Sequence, residues 1–337
     1  MGFNQIFGQK KPKQIIKKTV QGNSLAHAYL FYGQESIGKN KVAIELAKSL
    51  NCISSINGDP CDKCGSCQKI ESRTHPDFFF VEPEKKTPTA KYKIIDVDAI
   101  RELQRKLAYH PYEGKLKVAV IDDADLMSAS AANSFLKTLE EPPSSTILIL
   151  ISSSPFKLLP TIISRCQKIQ FQPLSPENIK KILKETVTEE MTEDFSLDFR
   201  AIRSRGSVKK ALAEDIENIA NIREEIVSLL ENISFDHMDI VFSHAKSWAR
   251  QSDQWETILN ELMELVRDLA FFRSGCSDSE VFNRDIAAKL KPLAARKSVR
   301  SWLEIFNAIH TTKAALSKNA NAQLFFENML IDFCKVA

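Results

Sequence analysis

Glycine and proline are spread so unevenly along this 337-residue chain that they divide it in two. Glycines stand at 2, 8, 22, 33, 38, 58, 65 and 114, and only Gly206 and Gly275 lie beyond. Twelve of the thirteen prolines precede residue 177, which leaves Pro292 alone in the remainder. Turns and strand ends need these residue types, whereas helix interiors exclude them. The pattern predicts a turn-rich first half and a helical second half. Length agrees, because a single core stops growing near roughly 250–300 residues, so two or three domains are expected. With 43% hydrophobic and 26% charged residues, disorder is excluded. No apolar run approaches the ~20 residues of a membrane span, and the lysine-rich start lacks the apolar stretch of a signal peptide. The expectation is a soluble, cytoplasmic protein with no membrane partner.

Charge divides at the same place. Residues 1–176 carry 24 Lys+Arg against 17 Asp+Glu, and the rest carry 22 against 26. A modest basic bias on one half permits a phosphate-bearing partner without demanding one. Five short apolar runs in that half read as buried strands: Ala28–Tyr32, Phe78–Val81, Lys117–Ile121, Thr146–Ser152 and Lys168–Phe171. Helical patterns such as Lys39–Leu50 and Asp98–Tyr109 alternate with them, which argues an α/β domain with a parallel sheet covered on both faces. Ligands of such sheets sit beyond the carboxyl ends of the strands. Ser175-Pro176-Glu177 then signals a helix start, by capping, fixed backbone angle and dipole respectively. A small helical domain is placed at 173–214, after a first domain of 1–172, and a larger helical one at 215–337.

Directly after the first strand comes Gly33-Gln-Glu-Ser-Ile-Gly38-Lys39-Asn40, followed by a helix. Strand, glycine loop and helix N-terminus form an anion cradle of backbone N–H groups. The spacing matches a P-loop up to Lys39. A Ser or Thr hydroxyl should follow to hold Mg²⁺, and Asn40 offers an amide instead. Glu35 adds a carboxylate where phosphates would sit. The loop therefore reads either as a nucleotide site without hydrolysis or as a turn that only keeps the P-loop shape. The third strand ends in Asp122-Asp123-Ala-Asp125, where P-loop proteins hold metal and polarise water. Asp122 takes the metal position. Asp123 is one methylene shorter than the glutamate expected as base, and the acids read alternatively as caps of the next helix, Asp125 most readily.

Four of the seven cysteines, Cys52, Cys61, Cys64 and Cys67, lie within sixteen residues. Their spacing suits one structural, tetrahedral Zn²⁺, with Gly58, Pro60 and Gly65 supplying turns. A disulfide framework fits poorly with the unpaired Cys276 and Cys334, and nothing else suggests an iron–sulfur cluster. His75 offers a substitute ligand, but a packed or solvent-facing histidine is the better reading.

His27-Ala-Tyr-Leu-Phe-Tyr-Gly33, the cysteine cluster, Asn133-Ser-Phe-Leu-Lys-Thr-Leu-Glu-Glu-Pro-Pro143 and Ser164-Arg165-Cys166 occur in an order that resembles bacterial clamp loaders. These are the AAA+ subunits of the DNA polymerase III holoenzyme, and the resemblance covers about residues 1–212. It implies a P-loop AAA+ domain with a zinc module at 52–67, a helical lid at 173–214 and an all-α oligomerisation collar at 215–337. It further implies that Arg165 is an arginine finger acting in trans on a neighbouring subunit's nucleotide. Ser153, within Ser152–Ser154, matches the position that senses the terminal phosphate. Lys209 stands where the family's ATPases place an arginine, and a lysine loses the fork that grips phosphate bidentately. Arg101 matches a position that touches the DNA backbone, with Arg105 and Lys106 beside it, although a solvated helix face reads as well. Trp248, Trp255 and Trp302 read as core or interface residues.

Asn40, Asp123 and Lys209 depart from the working pattern on three separate elements. Together they imply a subunit that does not hydrolyse ATP itself. It would assemble with gamma/tau and delta subunits, and help place a sliding clamp on primed DNA. Two rival readings are a working ATPase of gamma/tau type, using Lys39, Asp122 and Asp123 in cis, and a stand-alone zinc-dependent nucleic-acid module.

Overall fold

The computed structural model describes residues 2–22, 24–85, 93–186, 194–213, 216–278, 280–316 and 321–335. They form two compact units, Met1–Ala213 and Glu214–Ala337. The first contains strands β1 (Ala28–Tyr32), β2 (Phe78–Val81), β3 (Lys117–Ile121), β4 (Thr146–Ser152) and β5 (Gln167–Gln170). They form one parallel sheet in the order β2-β3-β4-β1-β5. Four strands keep the bounds their apolar runs predict. The fifth begins one residue early, and Phe171, beyond its end, still donates its N–H to the Tyr32 carbonyl at 2.8 Å.

Alternation along the central strands feeds two cores. Ile147, Ile149 and Ile151 of β4, with Val118 and Val120 of β3, face one apolar cluster. That face is covered by α1 (Lys10–Gln21) and α2 (Lys39–Asn51), through Ile16, Val42 and Leu46. Leu148, Leu150, Ala119 and Ile121 face the other, beneath α4 (Val97–Leu107), α5 (Ala129–Glu140) and α6 (Pro160–Ser164). Between α2 and β2 lies the short α3 (Gly65–Glu71). This is the α/β P-loop architecture expected. Helix α4 stops at Leu107 rather than Tyr109 because Pro111 disfavours helical geometry just before it. The buried Lys117 ammonium then accepts the stop, donating to the Leu107 and Tyr109 carbonyls.

Helices α7 (Pro176–Thr186), α8 (Asp194–Arg203) and α9 (Val208–Ala213) follow the sheet. Ser175 caps α7 as expected, its hydroxyl accepting the Asn178 N–H at 3.4 Å. Leu174, Ile179, Leu183, Leu197 and Ala211 join the same apolar cluster as α2. Before α9, Gly206 adopts φ +85°, and a Cβ there would stand 2.5 Å from the Leu174 nitrogen. Only glycine fits that turn.

The second unit is all helical among the described residues: α10 (Ile216–Asn232), α11 (Met238–Arg250), α12 (Trp255–Arg273), α13 (Ala287–Ala295), α14 (Val299–Leu316) and α15 (Ala322–Lys335). Pro292, the one late proline, stands inside α13 and marks no boundary. Trp248 and Trp302 are buried in the core, and Trp255 packs partly buried against it. Their indole N–H groups reach Glu225, the Ala294 carbonyl and the Trp248 carbonyl, at 2.8, 3.2 and 2.7 Å. The fully buried Asp268 accepts from the Asn283 backbone and side chain, both at 2.8 Å, and so fixes the loop after α12. Among the described residues, no helix is long and apolar enough to cross a membrane.

Candidate functional site

The loop between β1 and α2 is shaped by its glycines. Gly33 has φ +146° and Gly38 φ +97°, and a Cβ on Gly33 would stand 2.5 Å from the Phe171 carbonyl oxygen. Glycine at 33 is therefore demanded by packing as well as by the loop. Lys39, 6% exposed, folds back over the loop and donates to the Gly33 and Gln34 carbonyls at 2.7 and 2.6 Å. Burial lowers its pKa, against the opposing pull of Asp122 and Asp123.

Asn40 turns its amide nitrogen toward Asp122, with Nδ2 2.8 Å from Oδ2. The other Asp122 oxygen accepts the Asp123 N–H at 3.1 Å. Burial raises the pKa of both carboxyls, and for Asp123 the Asp122 charge adds to it. Asp125 does not cap the next helix. Its carboxylate accepts the Ser153 N–H at 3.2 Å, while Ser128 caps α5 by accepting the Ala131 N–H at 3.2 Å. A cavity of about 350 Å³ lies against this group, polar at Lys39, Asn40 and Asp122 and apolar at Ile6, Phe7, Leu174 and Val208.

Lys209, on α9, pairs with Glu35 of the loop at 2.6 Å. The Val208 N–H also donates to the Ser36 carbonyl at 3.0 Å, so α9 meets the loop through backbone and side chain together. The structure thus gathers Gly33, Gly38, Lys39, Asn40, Asp122, Asp123 and Lys209 into one place, with Ser153 held to its acidic rim. Sequence reasoning missed Gln9. This residue adopts φ +49° and is 6% exposed. Its amide donates to the Ile37 and Gln172 carbonyls at 3.0 and 2.6 Å and accepts the Gln172 N–H at 3.1 Å. A glutamine among lysines carries no local signal for that role.

The four cysteines converge, their sulfurs all within 4.8 Å of one another and Cys61 and Cys67 4.0 Å apart. Tetrahedral Zn–S bonds of about 2.3 Å would set the sulfurs about 3.8 Å apart, near the spacing seen, so the cluster could hold a zinc ion. Cys52 ends α2, whereas Cys64 caps α3 and Cys67 lies in its first turn. Gly65 opens that helix and makes no turn, while Gly58 does, at φ +77°. Burial pushes the Cys52 and Cys67 thiols up. The Ser54 hydroxyl and backbone N–H groups hold Cys61 down to about 5. Four thiolates this close repel one another, and a dication is what lets them ionise together. His75 stays out of the cluster, its Nδ1 accepting the Asp77 N–H at 3.1 Å.

Arg165 and Arg101 stand elsewhere. Arg165 closes α6, its guanidinium 2.7 Å from Glu140 and 3.0 Å from the Thr161 carbonyl, and it does not line the cavity. Its neighbour Cys166 is buried, which pushes the thiol up to about 11. Arg101 lies on the exposed side of α4, 3.5 Å from Asp98, with Lys106 paired to Glu102 at 2.7 Å.

A family model described as DNA polymerase III, delta subunit, matches residues 8–175, and one for the C-terminal part of that subunit matches residues 217–335. The chain is 30% identical over 332 residues to DNA polymerase III subunit delta' of Bacillus subtilis, covering 96% of this chain and 95% of that protein. It is 29% identical to subunit tau/gamma of Haemophilus influenzae over 80% of this chain but only 41% of that longer protein. A solved gamma-subunit-related protein of Thermotoga maritima aligns over 95% of this chain and 98% of its own, with 18% identity and a TM-score of 0.42. On the two family models and the Bacillus subtilis relative, the chain belongs to the DNA polymerase III clamp-loader subunits of the delta-prime family.

Proposed function

We propose that the chain is a non-hydrolysing clamp-loader subunit that supplies Arg165 to the nucleotide of a neighbouring subunit. The observation that carries this reading is the division between the two sites. Arg165 is presented at the end of α6, steadied by Glu140 and Thr161, away from the chain's own cavity. The cavity itself has an amide where a metal-binding hydroxyl is needed, and Lys209 is engaged by Glu35. An arginine finger stabilises charge on the transferring phosphate and needs no nucleotide in its own subunit. The gamma/tau and delta subunits are the proposed ring partners, and the relatives' names support that assembly.

In this reading 1–172 is the AAA+ domain, 173–214 its helical lid and 215–337 the collar. The cysteines hold zinc for structure alone, because four thiolates close the coordination sphere. Arg101 contacts the phosphate backbone of primed DNA, a sequence-independent and salt-sensitive interaction. The assembly places a sliding clamp on that DNA in the cytoplasm. The test is Arg165→Ala in the reconstituted complex. ATP turnover should fall by about tenfold or more, with the variant's folding and assembly intact. Unchanged turnover in a fully assembled complex would reject the role.

A further inference from the structure

The P-loop fold implies Mg²⁺ beside the bound phosphates, held by the residue after the loop lysine and the acid that ends β3. The residues here do not fit that ion. Asn40 Nδ2 lies 2.8 Å from Asp122 Oδ2. A carboxylate only accepts hydrogen bonds, so it holds the amide with its nitrogen inward, and an N–H-bearing nitrogen is no ligand for magnesium. Asp122 Oδ1 accepts the Asp123 N–H at 3.1 Å, which leaves it fewer free lone pairs for a metal. The two groups that would share the metal are bonded to each other instead. Magnesium demands near-ideal octahedral oxygen geometry and sheds its water reluctantly, so it does not compete well for such a pair.

The rest of the cradle is intact. Gly33 and Gly38 keep the positive φ of a tight glycine loop, and the thirteen-residue helix α2 begins directly after Gly38, its N-terminus facing the loop. Lys39 sits over the loop, bonded to neutral carbonyls that a phosphate would outbid. The adjoining cavity of about 350 Å³ has the apolar wall of Ile6, Phe7, Leu174 and Val208 for a flat base. Charge sets the length of the phosphate chain. Glu35 brings a carboxylate to the loop, and Lys209 is paired with it at 2.6 Å. Among the described residues lining the cavity, Lys39 and Lys41 are left to offset the phosphates beside Glu35, Asp122 and Asp123, which without a metal favours two phosphates over three.

We infer that this cradle takes a nucleoside diphosphate without magnesium. The inference rests on reading the loop as a nucleotide cradle that does not hydrolyse. It is tested by calorimetric titration of ADP and ATP into the full zinc-bound chain, in magnesium-free and magnesium-containing buffer. The ADP Kd should agree between the two buffers within about twofold, and ATP should bind more weakly than ADP. In Asn40→Thr, which restores a hydroxyl and releases Asp122, magnesium should strengthen nucleotide binding by about tenfold or more. No ADP binding to the wild-type chain overturns the inference. So does tighter binding of ATP than ADP, or a magnesium effect on the wild-type chain as large as that on Asn40→Thr. Magnesium-dependent binding without turnover would overturn this inference alone. Magnesium-dependent ATP turnover by the isolated chain would instead overturn the non-hydrolysing reading.

Discussion

Single buried side chains set the shape of whole loops in this protein, and Asp77 shows how. It is 2% exposed, and its carboxylate accepts the N–H groups of Tyr112, Glu113 and Gly114 at 2.7, 2.8 and 2.7 Å. Asn51 holds Leu116, two residues on, exchanging hydrogen bonds with both of its backbone groups at 2.9 and 3.0 Å. Burial opposes ionisation of Asp77, but the three N–H donors outweigh it and hold the carboxyl below the usual aspartate range. A depressed folded pKa contributes stability that is present above the unfolded value, near ~4, and is lost as pH falls through the folded value. Asp77→Asn should therefore cost about 1–3 kcal/mol at neutral pH. The gap between variant and wild type should narrow as pH falls below about 4. Urea unfolding across that range measures it, and a gap independent of pH would show that the charge is irrelevant.

At the scale of elements, the strands were legible because each is a short apolar run closed by polar or turn residues. Which residues face which core, such as Ile149 and Leu150 on opposite faces, emerged only with the sheet. The phosphate loop and the cysteine spacing were legible for a similar reason, since both lie in short contiguous stretches. The pairings that complete the cradle were not. Glu35 meets Lys209 across 174 residues, and Gln9 meets Gln172 across 163. Nothing local in either segment announces its partner, and exposed or isolated polar residues have many alternatives. The end of α4 was misplaced because hydrophobic periodicity runs on through Tyr109, while Pro111 acts on the backbone before it. The cysteine module belongs to this scale too. It joins α2 to α3, and Lys48 ties it down through Glu45 at 2.8 Å, Asp62 at 3.3 Å and Glu71. Purified protein should contain about one zinc per chain, and Cys61→Ser should lose it. Chelation should lower the melting temperature and expose residues 52–67 to proteolysis. A metal-free preparation with the same melting temperature would remove zinc from the account of stability.

At the scale of the whole molecule, each unit builds its core from its own residues. The clusters of the first run from Phe3 to Ala211, and that of the second from Ile222 to Phe333. A fragment of residues 214–337 should consequently fold alone, with strongly helical circular dichroism and a cooperative thermal transition. A gradual, non-cooperative melt would mean that the helical unit depends on the rest of the chain. Gly33 bears on the history of the first unit. Its missing side chain makes room for the Phe171 carbonyl, which would stand 2.5 Å from a Cβ there. Selection for folding alone retains such a glycine in any lineage, whether or not a nucleotide is used. Asn40 is half-buried and held to Asp122 by a side-chain hydrogen bond, a constraint that other small polar residues can also meet. The order in which a sequence motif decays is then set by what each residue touches, and the letters that survive longest record the packing of the ancestor rather than its chemistry.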